Sequence, residues 1–307
     1  MLRFILKRLL SALPTLFILV VLAFFLIRFV PGGPFDTERH IPPEVLENLK
    51  EAYNLNGPLH KQFADYVKGL LRGDLGPSIR YQDSSVSELI AAGFPVSLRI
   101  GLLAMVFAVA IGAFAGAMAA LRKGTFSDVS VMATALLGLS IPSFVIAPLL
   151  ILVFAVYLGW LPAGGLSDGS GQHLIMPVAT LALPQIAYIA RLMRASLIEV
   201  LNSDFIRTAR AKGLPRHTVL LRHALRPALI PLVSYLGPAT AGVITGSLVV
   251  EQIFQLPGIG RYFVDGALNR DYTLVMGVVV FYGALIILFN LLVDLVYAWL
   301  DPKLRYR

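Results

Sequence analysis

Residues 9–30 read LLSALPTLFILVVLAFFLIRFV, an apolar run that follows a basic N-terminal cluster and contains one charge, Arg28. A helix needs about 20 apolar residues to cross about 30 Å of hydrocarbon, so the run predicts a membrane-spanning helix. A cleaved signal peptide also begins with positive charge, but its apolar region is shorter and ends in small residues. This run continues to Phe29 and Val30, and we therefore expect a retained helix over 1–30.

The composition indicates a membrane protein throughout, because 57% of the 307 residues are hydrophobic and only 14% are charged. The chain has no cysteine, which excludes disulfides, cysteine zinc sites and thiol nucleophiles. Its net charge of +8 comes from Lys and Arg clustered between apolar runs, which is typical of topology signals rather than of nucleic-acid binding. We predict an all-α integral membrane protein with about six transmembrane helices. The further candidate spans are residues 95–121, 129–157, 174–190, 228–250 and 274–299.

Loop charges predict that the N- and C-termini are both cytoplasmic, because Lys and Arg accumulate on the cytoplasmic side of membrane proteins. The connection 191–227 holds eight basic residues against Glu199 and Asp204, so we place it inside. The connection 158–173 holds no basic residue and the connection 251–273 holds two, so we place both outside. The other basic residues assigned to the inside are Arg3, Lys7, Arg8, Arg122, Lys123, Lys303, Arg305 and Arg307.

The connection 31–94 is long and, by the same rule, external, with nine acidic and six basic residues. Pro42-Pro43-Glu44 followed by apolar residues at helical spacing predicts one helix, and an apolar stripe over 63–71 predicts a second. This extracytoplasmic segment is either a cap over the helix ends or a docking surface for another protein. The predicted organisation is a helix 1–30, the segment 31–94, a core 95–300 that includes the loop 191–227, and a cytoplasmic tail 301–307.

Residues that could carry chemistry are scarce. The chain contains no Walker A, dinucleotide-binding, metalloprotease or nucleophile-elbow motif, and its histidines lie outside the predicted spans. We therefore predict no enzyme activity, no metal site and no cofactor in this chain. Arg28 and Arg99 lie near the outer ends of predicted helices. We therefore expect their side chains to extend to the lipid headgroups. Asp294 shares a face with Asn290, which favours an interhelical polar contact or an anchor at the inner headgroups over a substrate or proton site.

Small residues recur at four-residue spacing within two of the spans. Gly112 is followed by Gly116, and Gly242 is followed by Gly246. Such pairs let neighbouring helices approach closely. We therefore expect a tightly packed neighbour at both pairs.

The internal connection contains the most informative segment, DFIRTARAKG over 204–213. Phe205 and Ala209 recur at helical spacing after the apolar residues of 197–201, so we predict short amphipathic helices lying beside the membrane. Gly213 is expected to end the last of them in a left-handed conformation. A basic amphipathic helix is typical both of adhesion to anionic lipid and of docking on a partner, and physics alone does not separate the two.

Motifs along the chain resemble those of a known family. RTARAKG over 207–213 is similar to the EAA-type coupling loop of bacterial ABC importer permeases, in the form used by the dipeptide, oligopeptide and nickel branch. EQIFQLPGIG over 251–260, with NRDY over 269–272, resembles the second signature of that branch. Further matches are LKRLL over 6–10, GDLG over 73–76 and DPK over 301–303. The resemblance covers essentially the whole chain and is closest to the B-type permeases of oligopeptide systems.

The resemblance implies a type I ABC importer transmembrane domain in a bacterial inner membrane, which translocates oligopeptides or dipeptides into the cytoplasm by alternating access. The implied partners are a second homologous permease, two cytoplasmic ABC ATPases that bind ATP and Mg, and an extracytoplasmic peptide-binding protein. An importer of nickel or another small solute shares the same motifs. A stand-alone carrier or membrane enzyme is a third alternative, and the scarcity of titratable groups within the spans argues against it.

The resemblance also implies roles for individual residues. Thr208, Ala209 and Ala211 would be small so that the helix can enter a groove on an ATPase, and the three cations of the motif would meet acidic groups there. Arg207 and Thr208 stand where the general motif has Glu-Ala. The implied coupling residues are Asp204, Arg207, Thr208, Ala209, Arg210, Ala211, Lys212 and Gly213. The implied extracytoplasmic signature residues are Glu251, Phe254, Leu256, Pro257, Gly258, Gly260, Arg270, Asp271 and Tyr272.

Overall fold

The computed structural model describes residues 2–29, 33, 35, 42–52, 56–81, 83–166 and 171–300. Within that part of the chain every extended regular element is a helix, as the sequence predicts. The tail 301–307, with its DPK motif and basic residues, lies outside the described residues. The helices are α1 (Leu2–Phe29), α2 (Pro43–Ala52), α3 (Leu59–Leu71), α4 (Val86–Leu121), α5 (Phe126–Ser140), α6 (Ser143–Leu150), α7 (Gln172–Leu201), α8 (Asp204–Ala211), α9 (Arg216–Thr218), α10 (Leu225–Ala228), α11 (Ile230–Thr245), α12 (Leu248–Ile253), α13 (Ile259–Leu268) and α14 (Tyr272–Leu300), with π-helical turns over Ile151–Tyr157 and Val219–Ala224.

Among the described residues, five helical stretches are long and apolar enough to span a membrane, and a bent pair is a sixth candidate. The bent pair is α5 and α6 with its π-helical turn, which meet at 99°. The sequence predicted one continuous span over 129–157, and this was wrong in its continuity. Ile141 and Pro142 have extended ψ angles of 119° and 145°, because the proline ring disfavours a helical residue before it.

The fourth predicted span is much longer than expected. α7 contains Pro177 and Pro184 and still continues to Leu201, whereas the apolar run predicts a span ending at residue 190. Prolines are tolerated inside membrane helices because neighbouring groups satisfy the freed carbonyls. Residues Leu197 and Leu201, assigned from sequence to a surface helix, therefore belong to the end of a spanning helix.

The chain divides into two compact units. The first comprises residues 98–256 and 288–300, and the second comprises Leu2–Ser97 and Pro257–Ile287. In the first unit, Gly112 lets α4 approach α7 closely, since a Cβ there would lie 2.8 Å from the Ile186 carbonyl oxygen. A Cβ at Gly116 would meet the Ala190 carbonyl of α7 in the same way. The close approach predicted at this glycine pair is confirmed.

The second glycine pair does not have the neighbour that the sequence predicts. A Cβ added at Gly242 would meet no atom within 4 Å, and at Gly246 it would meet the carbonyl of Gly242 in the same helix at 2.5 Å. Both residues are exposed. The glycines of α11 and its C-cap therefore leave an open surface, to which we return below.

The second unit joins α1 to the predicted extracytoplasmic segment. The Phe63 ring of α3 lies 5.2 Å from that of Phe24 in α1. Arg28 does not snorkel to headgroups as predicted, because its Nε donates to Gln62 Oε1 at 2.9 Å and its guanidinium lies 3.9 Å above the Phe24 ring. These contacts favour the cap interpretation of the segment. Leu71, the last residue of the predicted α3 stripe, is 83% exposed.

Two other charges were singled out within the spans. Arg99 is exposed on α4, and Asn290 is exposed one turn before the half-buried Asp294 on α14. Among the described residues, no three His, Asp or Glu side chains form a group that could hold a metal ion.

Candidate functional site

The predicted coupling segment forms the short helix α8. It begins after Ser203, which has extended φ and ψ angles of −72° and 156°. It ends before Gly213, whose φ of +76° is the left-handed conformation that the sequence predicts. Asp204 lies in the first turn and Arg210 in the last, so both charges complement the helix dipole.

One face of α8 is buried against the first unit. Phe205, which the sequence places on the apolar side of a helix lying beside the membrane, is not part of this face and is 49% exposed. The buried residues are Ile206 and Ala209, which lie one turn apart and face the same neighbours. Their cluster also contains Ala120, Met193, Leu197, Val219, Ala224 and Ala228. The end of α7 and the π-helical turn after α9 therefore hold α8 in place.

The opposite face of α8 is exposed and carries the cations of the motif. Arg207 Nη1 lies 3.1 Å from Asp204 Oδ1, but both side chains are mostly exposed, so the pair adds little stability. The exposed motif residues are Asp204, Arg207, Thr208, Arg210, Ala211, Lys212 and Gly213. This surface presents cations and small side chains together, as a docking helix requires.

A cavity of about 730 Å³ opens beside α8. Its apolar lining comes from residues such as Leu121 and Leu201, which end α4 and α7, and its cationic lining comes from Arg210 and Arg216 with His217. Apolar walls with a few convergent polar groups are typical of binding pockets. The cavity extends the exposed face of α8 into a concave surface of mixed apolar and basic character.

An ion pair fixes the turn between α4 and α5 to the helix that leads into α8. Arg194 donates from Nε and Nη2 to the two oxygens of Asp128 at 2.6 and 2.8 Å. The Gly124 N–H donates to Asp128 at 2.9 Å, and the Asp128 side chain is only 4% exposed. Bidentate pairs of this kind are strong and directional. The sequence analysis used Arg194 only as a topology signal. The sequence indicates a partner only through Asp128, an acid that follows the basic pair Arg122-Lys123.

The first half of the signature segment is buried rather than displayed. Glu251, Phe254 and Leu256 are fully buried in the first unit. Ser247 donates its hydroxyl to Glu251 Oε1 at 2.5 Å, and the Leu256 N–H donates to the Glu251 carbonyl at 2.9 Å. The Gly165 N–H donates to the Phe254 carbonyl at 2.8 Å. These residues hold a tight turn and the loop packed on it.

The second half of the signature begins α13 in the second unit. Gly258 and Gly260 are buried, whereas Pro257 is exposed. The Ile259 N–H donates to Ser97 Oγ at 2.9 Å, and a Cβ added at Gly93 would lie 2.9 Å from the Ile259 nitrogen. The glycines therefore permit direct packing of α13 on α4.

Asp271 of the NRDY motif binds the segment that follows the GDLG motif. Its carboxylate is fully buried and accepts from the Ser78 hydroxyl at 2.5 Å and from the Ile79 and Arg80 N–H groups at 2.9 and 3.0 Å. It also accepts from the Leu274 N–H at 3.0 Å, which caps α14. Asp271 thus anchors residues 78–80 to the start of α14. Arg270, exposed and at a φ of +55°, and half-buried Tyr272 flank it.

Comparison with known proteins identifies the family of the chain. Residues 108–306 match the family described as binding-protein-dependent transport system inner membrane component, and residues 1–99 match the N-terminal region of such membrane components. An oligopeptide transport system permease protein of Haemophilus influenzae is 55% identical over 306 residues, and that of Escherichia coli K12 is 54% identical, with each chain covered completely.

More distant relatives share the same fold. A dipeptide transport system permease protein of Bacillus subtilis is 43% identical, over 99% of this chain and 98% of the relative. A crystal structure of an amino acid ABC transporter with histidines has a TM-score of 0.56 at 18% identity, over 69% of this chain and 94% of that one. The chain therefore belongs to the family of binding-protein-dependent transport system inner membrane components.

Proposed function

We propose that this chain is the transmembrane permease subunit of an ATP-driven ABC importer that carries peptides into the bacterial cytoplasm by alternating access. The observation that carries the proposal is the similarity over the full length to oligopeptide permeases, continued at lower identity in dipeptide permeases. Nickel was an alternative because the coupling motifs do not report the cargo. The high identity to oligopeptide relatives favours peptides.

The chain itself performs no chemistry in this proposal, and α8 couples it to an ATPase. The buried pair Ile206 and Ala209 ties α8 to the inner ends of α4 and α7, so a force on α8 acts on two spans. The exposed cations and the neighbouring cavity suit acidic and apolar groups of the ATPase. The Asp128–Arg194 pair keeps α5 attached to α7 as the helices tilt.

The proposed assembly contains a second homologous permease, two cytoplasmic ATPases that bind ATP and Mg, and an extracytoplasmic peptide-binding protein. The loop charges support this division, because they place α8 inside and the signature segment outside. The buried signature residues act by fixing the turn at Glu251–Leu256 and the anchor at Asp271, which hold the extracytoplasmic ends of the spans in shape.

The proposal is tested by uptake into vesicles that hold the assembled complex. We expect accumulation of a labelled peptide that requires ATP at the cytoplasmic face and the binding protein at the other. The control omits the ATPases, and this chain alone should then move no peptide. Uptake by the isolated chain, or ATP-dependent uptake of nickel without peptide uptake, would overturn the proposal.

A further inference from the structure

The exposed faces of the spanning helices are of two kinds. On α4 the large exposed side chains after Arg99 are apolar, with Val106 63% and Phe114 70% exposed, and those of α5 and α14 are apolar apart from Asn290, as Leu136 and Leu292 illustrate. Apolar faces of this kind suit contact with lipid tails. Lipid alone accounts for these exposed apolar faces.

The exposed face on the second half of α7 differs. Its exposed residues recur every three or four positions and so share one face, namely Tyr188, Arg191, Ala195, Glu199 and, after the helix end, Asn202. All of them except Ala195 are polar or charged. Polar and charged groups are expensive against lipid and almost always face the interior of an assembly or a water-filled cavity. Because residues 191–202 belong to the basic connection that the loop charges place inside, the part of this face that runs from Tyr188 towards that connection suits water or a polar ligand better than lipid.

The exposed face of α11 has a related character. On this helix and its C-cap the exposed residues are small or polar, namely Pro231, Ser234, Pro238, Gly242 and Gly246. Such residues offer lipid tails little apolar area. The exposed faces of α7 and α11 therefore carry fewer large apolar side chains than those of α4, α5 and α14.

A hydrogen-bonded aromatic cluster joins these two faces. The rings of Tyr188 on α7 and Tyr235 on α11 stack with centroids 4.3 Å apart. The Tyr235 hydroxyl donates to Gln185 Oε1 at 2.6 Å. Within the described part of the chain, the Gln185 amide nitrogen and the Tyr188 hydroxyl make no other hydrogen bond, so both can donate to a ligand.

Resting on the proposed function, we propose that α7 and α11 line the translocation path and that Gln185, Tyr188 and Tyr235 contact the main chain of the peptide in transit. Every peptide presents the same N–H and C=O groups, which an amide and a phenol hydroxyl can bind as donor and acceptor. Stacked aromatic faces accept side chains of many shapes. The open surface at Gly242 leaves room for those side chains.

Thiol labelling tests the path, since the chain has no cysteine and a single introduced one is unique in it. We choose Ala195→Cys on α7 and Ser234→Cys on α11, which replace small exposed side chains, with Val106→Cys on the apolar face of α4 as the control. In the assembled complex in vesicles, a membrane-impermeant thiol reagent should label both path positions at least tenfold faster than the control. Equal rates at all three positions would overturn the path assignment.

The same labelling distinguishes a subunit interface from a path. If α7 and α11 instead pack on the second permease, both path positions will react only when this chain is isolated without it. Labelling confined to the isolated chain therefore overturns the inference. Wild-type uptake is measured in parallel, so that absence of peptide transport counts against the proposed function, whereas normal transport with failed labelling counts only against the path.

Peptide contact is tested at the cluster itself. Two peptides of opposite charge, each supplied with the binding protein and ATP, should both slow labelling of Tyr188→Cys by at least threefold. Gln185→Leu should lower the number of peptides moved per ATP hydrolysed about tenfold, with Leu183→Ala on the same helix as the control. Protection by neither peptide or by one alone, or an unchanged ratio in Gln185→Leu, would refute main-chain recognition.

Discussion

Helix α8 and the Glu251–Tyr272 segment were both singled out by sequence motifs, yet they use their motif residues in opposite ways. α8 buries two side chains and exposes its charged and small residues. The Glu251–Tyr272 segment buries Glu251, Phe254, Leu256 and Asp271. A motif displayed to solvent suits a partner, whereas a motif folded inward maintains the scaffold. Substitutions in the two regions should therefore fail in different ways.

The largest effect is expected where the exposed motif ends. Gly213→Asp places a branched, charged residue at a φ of +76° and should lower ATP-dependent peptide uptake at least tenfold without loss of membrane insertion. Gly159→Asp is a matched control, because Gly159 has a φ of +62° and, like Gly213, has no neighbour within 4 Å of an added Cβ. Normal uptake in Gly213→Asp would contradict the coupling role of α8.

A substitution in the buried motif should lower the stability of the folded protein. Asp271→Ala removes the acceptor of the Ile79, Arg80 and Leu274 N–H groups, and a polar group left unsatisfied away from water costs about 1–3 kcal/mol. We expect a loss of at least about 3 kcal/mol, measured as a lower melting temperature of the purified protein. Asp74→Ala is the control, since Asp74 is exposed and accepts one bond in the same loop, from Gly76 at 2.8 Å. A similar melting temperature in both variants would exclude Asp271 as the main anchor.

A smaller effect, dependent on pH, is expected beside the cap. Burial raises the pKa of Tyr66 on α3 from 10.0 to about 12. Below pH 10 the hydroxyl is protonated in both the folded and unfolded states. Between pH 10 and 12 only the unfolded chain ionises, so about 2–3 kcal/mol of stability is lost as pH rises. Tyr66→Phe should remove that alkaline loss and melt no lower than the wild type at pH 8, because the buried hydroxyl has no hydrogen-bond partner among the described residues that the substitution would remove. An equal alkaline loss in both proteins would assign it to other groups.

The smallest stability effect is expected on the exposed face of α8. Arg207→Ala removes a solvent-exposed ion pair and should change the free energy of unfolding by less than about 0.5 kcal/mol. Its affinity for the ATPase should nevertheless fall severalfold, which co-purification or titration would measure. Arg261→Ala, which removes another exposed cation from an ion pair, should leave ATPase affinity unchanged. Equal loss of affinity in both variants would indicate a general charge effect rather than docking by α8.

Much of the fold could be predicted from the sequence because hydrophobicity and loop charge act locally. The apolar runs gave the spanning helices, and the glycine at 213 gave the end of α8. The break at Ile141-Pro142 could have been predicted, because a proline disfavours a helical conformation of the residue before it. It was missed because the long apolar run outweighed it.

The candidate site was predicted less completely, because its residues are assembled from distant parts of the chain. Arg28 was assigned to headgroups, yet it binds Gln62, and Arg194 was assigned to topology, yet it binds Asp128. A lone charge in a sequence carries no information about its partner. The choice of Ile206 over Phe205 as the buried residue depends in the same way on which surface α8 meets.

The sequence by itself determined that this chain is a polytopic membrane protein and that residues 207–213 carry a motif resembling the coupling loop of importer permeases, because span length, charge bias and a contiguous motif are properties of neighbouring residues. Only the tertiary structure decided that Glu251, Phe254, Leu256 and Asp271 are buried, that Asp271 binds the segment after the GDLG motif, and that the rings of Tyr188 and Tyr235 stack between α7 and α11. The physical reason is that burial and hydrogen bonding are set by packing between residues far apart in the chain. Periodicity shows which residues share a face, and packing shows what that face meets.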